Sequence, residues 1–369
     1  MTNIPIADTN HRASLLKEAG EIDIHLQSMF ADVFQADPLY WPSPFWAELN
    51  DWGIKNLKNS SINNFKRTLN MRYFNWNVFT IFVHQFFPVL LLWLRRGDLS
   101  ISNAKFPNYQ NDDPRIPTFN VLSAYLYKIY VAMFWSVLSD VDSQGLCPRL
   151  SEPNFGAPYI IQYKENYVSQ DLANSLHEYY SIMNHIDGGR QNFKNIGEIG
   201  AGYGRLAYVF LKAMPGCSYT IIDIPPALYV AQKYLSGIFP EKKIFLFRPF
   251  SNYQSIQKEF ESSQIRLISA PQVELLPDKS FDVMINISSL HEMTLAQINH
   301  YIRHIDRLTN GYFYTKQWLV SRAKRNGFVI RREEYPIPQA WDTLFNEKHP
   351  IQKLFFHALY KNYSNSPVR

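Results

Sequence analysis

The spacing of apolar residues changes from a helical pattern to a strand-and-helix pattern about halfway along the chain. From residue 22 to about residue 138, apolar residues recur at intervals of three and four, which is the spacing of one face of a helix. One such stripe consists of Leu122, Leu126, Ile129 and Met133. Stretches rich in proline, asparagine and aspartate at residues 107–117 and 148–158 predict loops. The first part of the chain is therefore predicted to be mostly α-helical.

Beyond residue 195, short apolar runs alternate with segments of helical spacing. The predicted strands cover residues 196–199, 219–222 and 281–287, and the predicted helices cover residues 206–214, 227–235 and 295–308. Alternation of this kind is typical of a parallel sheet with helices on both faces. The sequence therefore predicts an α/β fold whose ligand site lies beyond the carboxyl ends of the strands.

Length and composition favour a globular protein with two folded regions. At 369 residues, the chain exceeds the usual domain size of roughly 100 to 200 residues. Hydrophobic residues make up 46% of it, with 23 tyrosines, 26 phenylalanines and 8 tryptophans, so a large core is available and a disordered chain is excluded. We predict a mostly helical region over residues 1–165 and an α/β domain over residues 166–369.

Charge and cysteine content indicate which binding partners and which cellular compartment to expect. The 37 Lys and Arg residues exceed the 32 Asp and Glu residues by only five, and these charges are dispersed, so a nucleic-acid partner is not expected. Two cysteines, Cys147 and Cys217, fit no disulfide framework and no metal cluster. Residues 1–10 are polar and acidic, unlike the cationic start of a signal peptide. These features predict a cytoplasmic protein.

One apolar run, residues 78–94, tests whether the chain enters a membrane. Its 17 residues fall short of the roughly 20 apolar residues that span a bilayer. The residues that interrupt its apolar character are Thr80, His84, Gln85 and Pro88. We predict a buried or interfacial helix and no transmembrane span, with peripheral membrane contact left open.

The most informative motif is Glu-Ile-Gly-Ala-Gly-Tyr-Gly-Arg at residues 198–205, where a predicted strand turns into a predicted helix. Glycines at such a turn let the backbone bend tightly and approach a ligand, with the N–H groups of the helix start directed at it. Asp223 follows nineteen residues after Gly204, at the end of the next predicted strand, where a carboxylate accepts hydrogen bonds from ribose hydroxyls. Together the two features indicate an adenosine-containing ligand.

The spacing of the glycines disfavours a dinucleotide such as NAD. A dinucleotide-binding loop has glycine at its first, third and sixth positions, whereas here Gly204 is at the fifth position and Arg205 is at the sixth. Glu198 followed by Gly-x-Gly-x-Gly instead resembles the first motif of the S-adenosylmethionine-dependent methyltransferases of the Rossmann-like class.

Several segments resemble the bacterial family of sugar O-methyltransferases. They are residues 168–175, 198–210, 222–228 and 286–293, and the similarity extends over about residues 169–314. The most specific feature is the Pro225–Pro226 pair directly after Asp223 and Ile224. The resemblance implies a Rossmann-like methyltransferase domain over residues 166–369, and we predict that the helical region over residues 1–165 covers the acceptor pocket.

The resemblance also implies the reaction and the cofactor. It implies methyl transfer from S-adenosylmethionine to a sugar hydroxyl of a glycan or nucleotide sugar, in polysaccharide biosynthesis. The residues that it implies for cofactor binding are Glu198, Gly200, Ala201, Gly202, Tyr203, Gly204, Asp223, Ile224, Gln272 and Asn286.

The end of the predicted strand 281–287 carries the candidate catalytic residues. In the family, side chains that follow this strand face the methyl donor, and here they include His291 and Glu292. An imidazole with a pKa near ~6.5 is neutral at cytoplasmic pH, so His291 is suited to remove the proton of an attacking hydroxyl, with Glu292 orienting the ring. The alternative is that His291 has no catalytic role and is only a hydrogen-bonded residue at the end of the strand. His291 and Glu292 could also be metal ligands, but no third ligand lies at a convincing spacing in the sequence, so no metal is expected.

The residues at the end of this predicted strand also indicate whether the atom that accepts the methyl group is oxygen or nitrogen. The resemblance to amino-methylating enzymes of DNA and RNA would require Asn or Asp followed by Pro-Pro and an aromatic residue. Asn286 matches only the first position, and the pair Pro225–Pro226 follows a different strand. Oxygen is therefore the expected acceptor atom.

The chain departs from the broader class at the third strand. Most relatives end that strand with an acid that holds the adenine amino group, whereas the corresponding run here is Ile-Ser-Ala-Pro-Gln at residues 268–272. Gln272 or a backbone group is the expected substitute. Residues 243–264 add a strand or a helix before this run, so the third strand is not fixed by the sequence.

Four further residues each have two interpretations. The ring of Tyr203 either approaches the sulfonium of the donor or packs beneath the loop. Arg205 either binds the methionine carboxylate or is solvated. Asp171 and Asn174 either cover the ligand or form the solvated face of a helix that Ser169 caps.

Two other functions remain open at this level. One is methylation of a hydroxyl group on a lipid or another small molecule, in which the apolar run at residues 78–94 would bind the membrane surface. The other is a non-catalytic scaffold that binds adenosine while the amino-terminal helices contact a partner protein.

Overall fold

The computed structural model describes residues 9–69, 82–96, 104–106, 120–186, 193–323 and 328–362. The strands are β1 (Ala104–Lys105), β2 (Ile161–Tyr163), β3 (Asn166–Val168), β4 (Asn195–Ile199), β5 (Ser218–Asp223), β6 (Ile244–Phe245), β7 (Ile265–Ser269), β8 (Phe281–Ile287), β9 (Thr309–Trp318), β10 (Val320–Ala323), β11 (Phe328–Arg331), β12 (Trp341–Lys348) and β13 (Phe355–Asn362).

The α-helices are α1 (Thr9–Ile22), α2 (Ile24–Gln35), α3 (Pro44–Asn59), α4 (Phe65–Thr68), α5 (Phe87–Arg95), α6 (Val121–Leu138), α7 (Gln170–Met183), α8 (Arg205–Ala213), α9 (Ala227–Ile238), α10 (Gln257–Ser262) and α11 (Leu295–Leu308). The start of α7 follows the sequence signal, because the Ser169 hydroxyl accepts a hydrogen bond from Leu172 N at 3.0 Å. A capping box between Thr294 and Gln297 begins α11.

The central sheet has eight strands in the order β12-β13-β9-β8-β4-β5-β7-β6 among the described residues. The six neighbouring strands β9, β8, β4, β5, β7 and β6 run parallel to one another, and β13 pairs with β9 in the antiparallel direction. The chain leaves β4 in one direction, toward β5 and β7, and returns to the other side of β4 with β8 and β9. This reversal is the topological switch point of a doubly wound sheet, and it confirms the predicted Rossmann-like α/β fold.

The apolar runs form strands because this sheet is buried on both faces. Every residue of β5 and of β7 is buried, and β8 has one partly exposed residue. Strands covered on both faces have near-continuous apolar sequences instead of alternating ones. The helices that cover the sheet are amphipathic, and α11 buries Ile298, Ile302 and Ile305 against it.

The predicted elements of the second half are confirmed. The strand over residues 281–287 and the helix over residues 295–308 have the predicted bounds, and the other predicted strands and helices differ by up to three residues at an end. The third strand, which the sequence did not fix, is β7. The inserted residues before it form the short β6 and the helix α10.

The first half is mostly helical, as predicted, in the part that the structure describes, and its strands β1, β2 and β3 form a small separate sheet. Of the apolar run at residues 78–94, residues 82–86 form a π-helical turn and the rest belongs to α5, while residues 78–81 and the predicted loop at 107–117 lie outside the described residues. One described helix, α6, is long and apolar enough to cross a bilayer, and half of it is buried inside the protein.

The amino-terminal helices pack directly on the sheet domain. Asp23, which caps α2, accepts hydrogen bonds from Tyr229 Oη at 3.0 Å and from Lys233 Nζ at 2.9 Å on α9. Asp32 of α2 accepts a hydrogen bond from the hydroxyl of Ser269 at the end of β7. The amino-terminal segment therefore reaches the carboxyl ends of the strands.

Candidate functional site

A cavity of about 280 Å³ opens at the switch point between β4 and β8. Its walls include the glycine loop after β4, the carboxyl ends of β5, β8 and β9, and the segment between α2 and α3. Predicted site residues that line it are Glu198, Gly200, Ala201, Gly202, Tyr203, Asp223, Ile224, His291 and Glu292. The strand pattern therefore brings most of the predicted residues to one place.

The glycine loop adopts a backbone that other residues rarely adopt. Gly200, Gly202 and Gly204 have φ angles of 71°, 60° and 82°. A Cβ atom on Gly200 would lie 2.1 Å from Ser289 Oγ, because the loop passes directly beside the end of β8. Ser288 at that end has a φ of 55°, which is strained for a residue with a side chain. The two loops at the switch point are thus held in close contact.

Asp223 ends β5 and faces the same loop. Its Oδ2 accepts a hydrogen bond from Gly202 N at 2.8 Å, and its Oδ1 accepts one from Ile224 N at 2.7 Å. Burial raises the pKa of Asp223 to about 7, although both backbone hydrogen bonds favour the carboxylate. Each carboxylate oxygen keeps acceptor capacity for a further donor, so two neighbouring hydroxyls of a ligand fit this group.

Glu198 is a second buried carboxyl group in the wall. Its Oε2 accepts a hydrogen bond from Tyr219 Oη at 2.7 Å, and burial raises its pKa to about 7. A cationic ligand would stabilise the ionised form of this group. Glu198 and Asp223 together give the cavity the acidic character that suits a cationic nucleoside.

Arg205 pairs with a buried glutamate of α7, which corrects the interpretation of this residue as solvated. Its guanidinium contacts both carboxylate oxygens of Glu178, at 2.6 and 2.9 Å, and donates to Ser175 Oγ at 2.8 Å. The amine of Lys316 on β9 contacts the same carboxylate and lies 2.6 Å from Gln352 Oε1. Arg205 and Lys316 both line the cavity.

This ion triad explains why a carboxylate persists deep in the protein. Burial alone would favour the neutral acid, but the charges of Arg205 and Lys316 lower the pKa of Glu178 to about 2. Sequence reasoning missed Glu178 and Lys316. The available signal for Lys316 was the polar run of Thr315, Lys316 and Gln317 directly after the aromatic run at residues 312–314 of a buried strand.

His291 lies in the short 3-10 helix Leu290–Glu292 after β8, and a neighbouring amide fixes its ring. The ring Nδ1 lies 2.9 Å from Gln317 Oε1. The Gln317 amide is itself oriented, because its Nε2 donates to the main-chain oxygen of Asn286 at 3.2 Å and to Asn286 Oδ1 at 2.6 Å. Gln317 Oε1 is an acceptor, so we assign the proton to Nδ1 of His291 and the lone pair to Nε2.

The imidazole of His291 is held in its neutral form. It is 4% exposed and lies against Trp318, with ring centroids 5.3 Å apart. Burial lowers its pKa to about 4, against the effect of the Gln317 hydrogen bond. Glu292 Oε1 lies 3.8 Å from Nε2, beyond hydrogen-bond distance, so Gln317 orients the ring in place of the predicted Glu292.

Three predicted cofactor residues lie behind the cavity wall. Asn286 donates from Nδ2 to Ile199 O at 2.8 Å and so joins the ends of β4 and β8. Gln272 is committed to the 3-10 helix Ala270–Leu275, where its Oε1 accepts from Ser269 N at 3.0 Å. Gly204 begins α8. These residues support the site from behind the residues that face the cavity.

Tyr203 packs beneath the glycine loop and also lines the cavity. Its ring contacts Phe65 of α4 edge to face, with centroids 5.1 Å apart, and Lys66 Nζ lies 4.9 Å from its centre. Its hydroxyl donates to Asp171 Oδ2 at 2.6 Å. Asp171 is therefore a partner of the loop and not part of a solvated helix face.

The remaining wall comes from the segment between α2 and α3. Trp41, Ser43 and Trp46 line the cavity there. The Ser43 hydroxyl donates to Glu292 O at 2.7 Å, and Gln297 Nε2 of α11 donates to Trp41 O at 2.7 Å. The amino-terminal segment is thus fastened to the loops that carry His291 and Glu292.

Known proteins were compared at the levels of sequence and structure. No family model and no curated protein matches the chain. Similar solved structures include an S-adenosylmethionine-dependent methyltransferase from Aquifex aeolicus, at 12% identity and a TM-score of 0.32, covering 46% of this chain and 81% of the other. They also include magnesium protoporphyrin IX methyltransferase from Synechocystis with bound SAH, at 13% identity and a TM-score of 0.36, covering 55% and 89%. At these values the similarity assigns neither a reaction nor a ligand to this chain.

Proposed function

We propose that the chain is an S-adenosylmethionine-dependent O-methyltransferase that acts on a sugar hydroxyl of a glycan or nucleotide sugar. In this proposal, residues 166–369 form the methyltransferase domain and residues 1–165 cover the acceptor side. One observation carries it. A single cavity joins a glycine loop and a carboxylate suited to adenosine with a buried imidazole whose Nε2 lone pair is fixed.

The donor fits the half of the cavity beside β4 and β5. Asp223 accepts hydrogen bonds from the two ribose hydroxyls, and Gly200 and Gly202 place no side chain between the loop backbone and the nucleoside. Glu198 offers its carboxylate to the positive charges of the donor. When bound, the donor supplies an electrophilic methyl group on a sulfonium sulfur.

His291 removes the proton of the acceptor. The acceptor oxygen forms a bond to the methyl carbon as the carbon–sulfur bond breaks, and the hydroxyl proton passes to Nε2 of His291. Gln317 holds the ring at Nδ1 throughout. An imidazole with a pKa of about 4 is a weak base, and the nearby Glu292 carboxylate stabilises the imidazolium that forms. Alignment of the two substrates supplies much of the remaining rate.

The tryptophans of the cavity favour a sugar acceptor. Trp41, Trp46 and Trp318 all line the cavity, and Trp318 lies beside His291. The faces of a pyranose ring are apolar, whereas its hydroxyl groups point outward, so an indole ring stacks on a sugar without burying a polar group.

A lipid-linked acceptor is the second candidate. Phe87, Leu91 and Leu94 of α5 are exposed large apolar residues with helical spacing, which is the arrangement of an interfacial helix. Sedimentation of the protein with anionic vesicles tests this candidate. A triple serine variant of the three residues should remain in the supernatant if the stripe binds the membrane.

The proposed reaction is tested with S-adenosylmethionine that carries a labelled methyl group. Purified protein is incubated with glycans and nucleotide sugars, and the products are analysed by mass spectrometry. We expect one labelled methyl ether on a sugar oxygen. Donor binding without transfer to any sugar or lipid acceptor would favour the adenosine-binding scaffold instead.

Replacing Asp223 with alanine should weaken binding of S-adenosylhomocysteine by about 1 to 3 kcal/mol, or roughly tenfold to a hundredfold, because the ribose hydrogen bonds are lost. Calorimetry measures this change. Asp342→Ala, on the exposed side of β12, is the matched control and should bind as the wild type does. Equal affinity of the Asp223 variant and the wild type would contradict the assignment.

Donor affinity should also depend on pH. Burial raises the pKa values of Asp223 and Glu198 to about 7, and the donor binds their ionised forms, so binding releases protons below pH 7. Affinity should rise as the pH increases from 6 to 8 and level off above 8. Calorimetry in buffers of different ionisation enthalpy measures the released protons. A donor affinity that is constant with pH, with no proton release, would contradict the assignment of these two carboxyl groups to donor binding.

A further inference from the structure

A cluster of three side chains outside the cavity has the composition of a metal site. Glu274 belongs to the 3-10 helix Ala270–Leu275, and His300 and His304 lie one turn apart on α11. One potential ligand atom from each residue lies within 4.8 Å of the other two. Histidines at positions i and i+4 share one face of a helix, which is a common source of paired metal ligands.

The two histidines are incompletely satisfied within the described residues. His300 is 9% exposed, and its Nε2 has no hydrogen-bond partner in the part of the chain that the structure describes. The same holds for Nδ1 of His304. Nε2 of His304 contacts the Tyr40 hydroxyl, and buried polar atoms are almost always paired, so the unpaired Nε2 of His300 is the atom that indicates an unfilled partner in this cluster.

The cation on α11 that could compete with a metal for Glu274 is Arg307, three residues after His304. Arg307 is itself engaged, because it lies 2.9 Å from Asp278 Oδ1 and donates to the main-chain oxygens of Val273 and Leu276. Glu274 supplies the negative charge of the set.

We propose that Glu274, His300 and His304 bind a divalent transition-metal ion, with zinc as the best fit. Two imidazoles and one carboxylate form a ligand set that zinc accepts in tetrahedral sites. The fourth position adjoins Tyr40, whose hydroxyl lies 2.8 Å from both Glu274 Oε1 and His304 Nε2. The Tyr40 hydroxyl completes the set or orients the carboxylate.

The ion would fasten the amino-terminal segment to the sheet domain. Tyr40 ends the 3-10 helix Pro38–Tyr40, and Trp41 and Ser43, which follow it, line the cavity. Glu274 and the two histidines, which come from the sheet domain, all contact the Tyr40 side chain. The role of the ion is therefore structural, and its binding does not depend on the proposed methyl transfer.

Calorimetry with zinc chloride tests this site directly. Untagged full-length protein is stripped with a chelator, dialysed and titrated with the metal alone. We expect one equivalent to bind with micromolar or tighter affinity and to raise the melting temperature. His300→Ala, His304→Ala and Glu274→Gln should each weaken that binding at least tenfold, whereas Tyr40→Phe should weaken it less.

The matched control is His25→Ala, which removes an exposed histidine of α2 and should retain the wild-type titration. Circular dichroism of each stripped variant shows whether it folds, and Glu274→Gln changes an exposed residue that folding should tolerate. The proposal is overturned if the wild type binds no stoichiometric zinc. It is also overturned if the folded Glu274 and histidine variants bind zinc as tightly as the wild type.

Discussion

Replacing His291 with alanine should lower the turnover number by a hundredfold or more and leave the affinity for S-adenosylhomocysteine unchanged. Removal of a general base typically costs a factor of roughly 10² to 10⁴. In the proposed reaction, His291 acts on the acceptor, whereas the ribose contacts are assigned to Asp223 at the end of β5. Steady-state kinetics with a responsive sugar, together with donor calorimetry, measures both quantities.

Two further variants make this result specific. His185→Ala removes a histidine that packs on Phe345, away from the residues that line the cavity, and should retain wild-type turnover. Gln317→Leu keeps His291 but removes the acceptor at Nδ1, so turnover should fall and the pH profile should shift as the ring loses its fixed tautomer. Wild-type turnover in His291→Ala would remove the general base from the mechanism.

Replacing Glu178 with alanine should destabilise the protein by about 3 to 5 kcal/mol, because Arg205 and Lys316 would lose the carboxylate that both of them contact. The side chains of Glu178 and Lys316 are almost fully buried, so water cannot replace the lost partner. Urea unfolding followed by fluorescence measures the change. Retention of wild-type stability would show that the three charges do not act as a unit.

The control for this effect is a similar pair on the surface. Glu21 and Lys58 form an ion pair with both side chains exposed, and Glu21→Ala should leave the urea midpoint nearly unchanged. The Glu178 contribution also has a defined pH dependence. The charges lower the folded-state pKa of Glu178 to about 2, so its stabilisation is complete above the unfolded-state pKa of 4.5 and is lost as the pH falls toward 2.

The sequence predicted the parts of the fold that depend on local patterns. The strand before the glycine motif and the helix over residues 295–308 are set by apolar spacing and by residues adjacent in the chain, such as the Thr294 and Gln297 capping box. The third strand was not fixed, because β6 and α10 interrupt the alternation before it. Apolar spacing alone does not tell which of several short runs joins the sheet.

The parts of the site that could not be predicted are contacts between distant segments. The interpretation of Arg205 as solvated was wrong because its partner, Glu178, comes from α7, 27 residues earlier. Gln317, which fixes the ring of His291, lies 26 residues after it on the neighbouring strand. The predicted parallel sheet placed His291 and Asp223 at the same edge, because each follows or ends a strand. Which side chains pair there depends on three-dimensional packing, which the sequence pattern does not contain.

A crystal structure with bound S-adenosylhomocysteine tests most directly whether this cavity joins a methyl donor to a base. We predict that the ribose hydroxyls contact Asp223 and that the sulfur faces Nε2 of His291, with room for one hydroxyl group between them. A nucleoside bound elsewhere, or a sulfur on the far side of the glycine loop from His291, would contradict the proposed function.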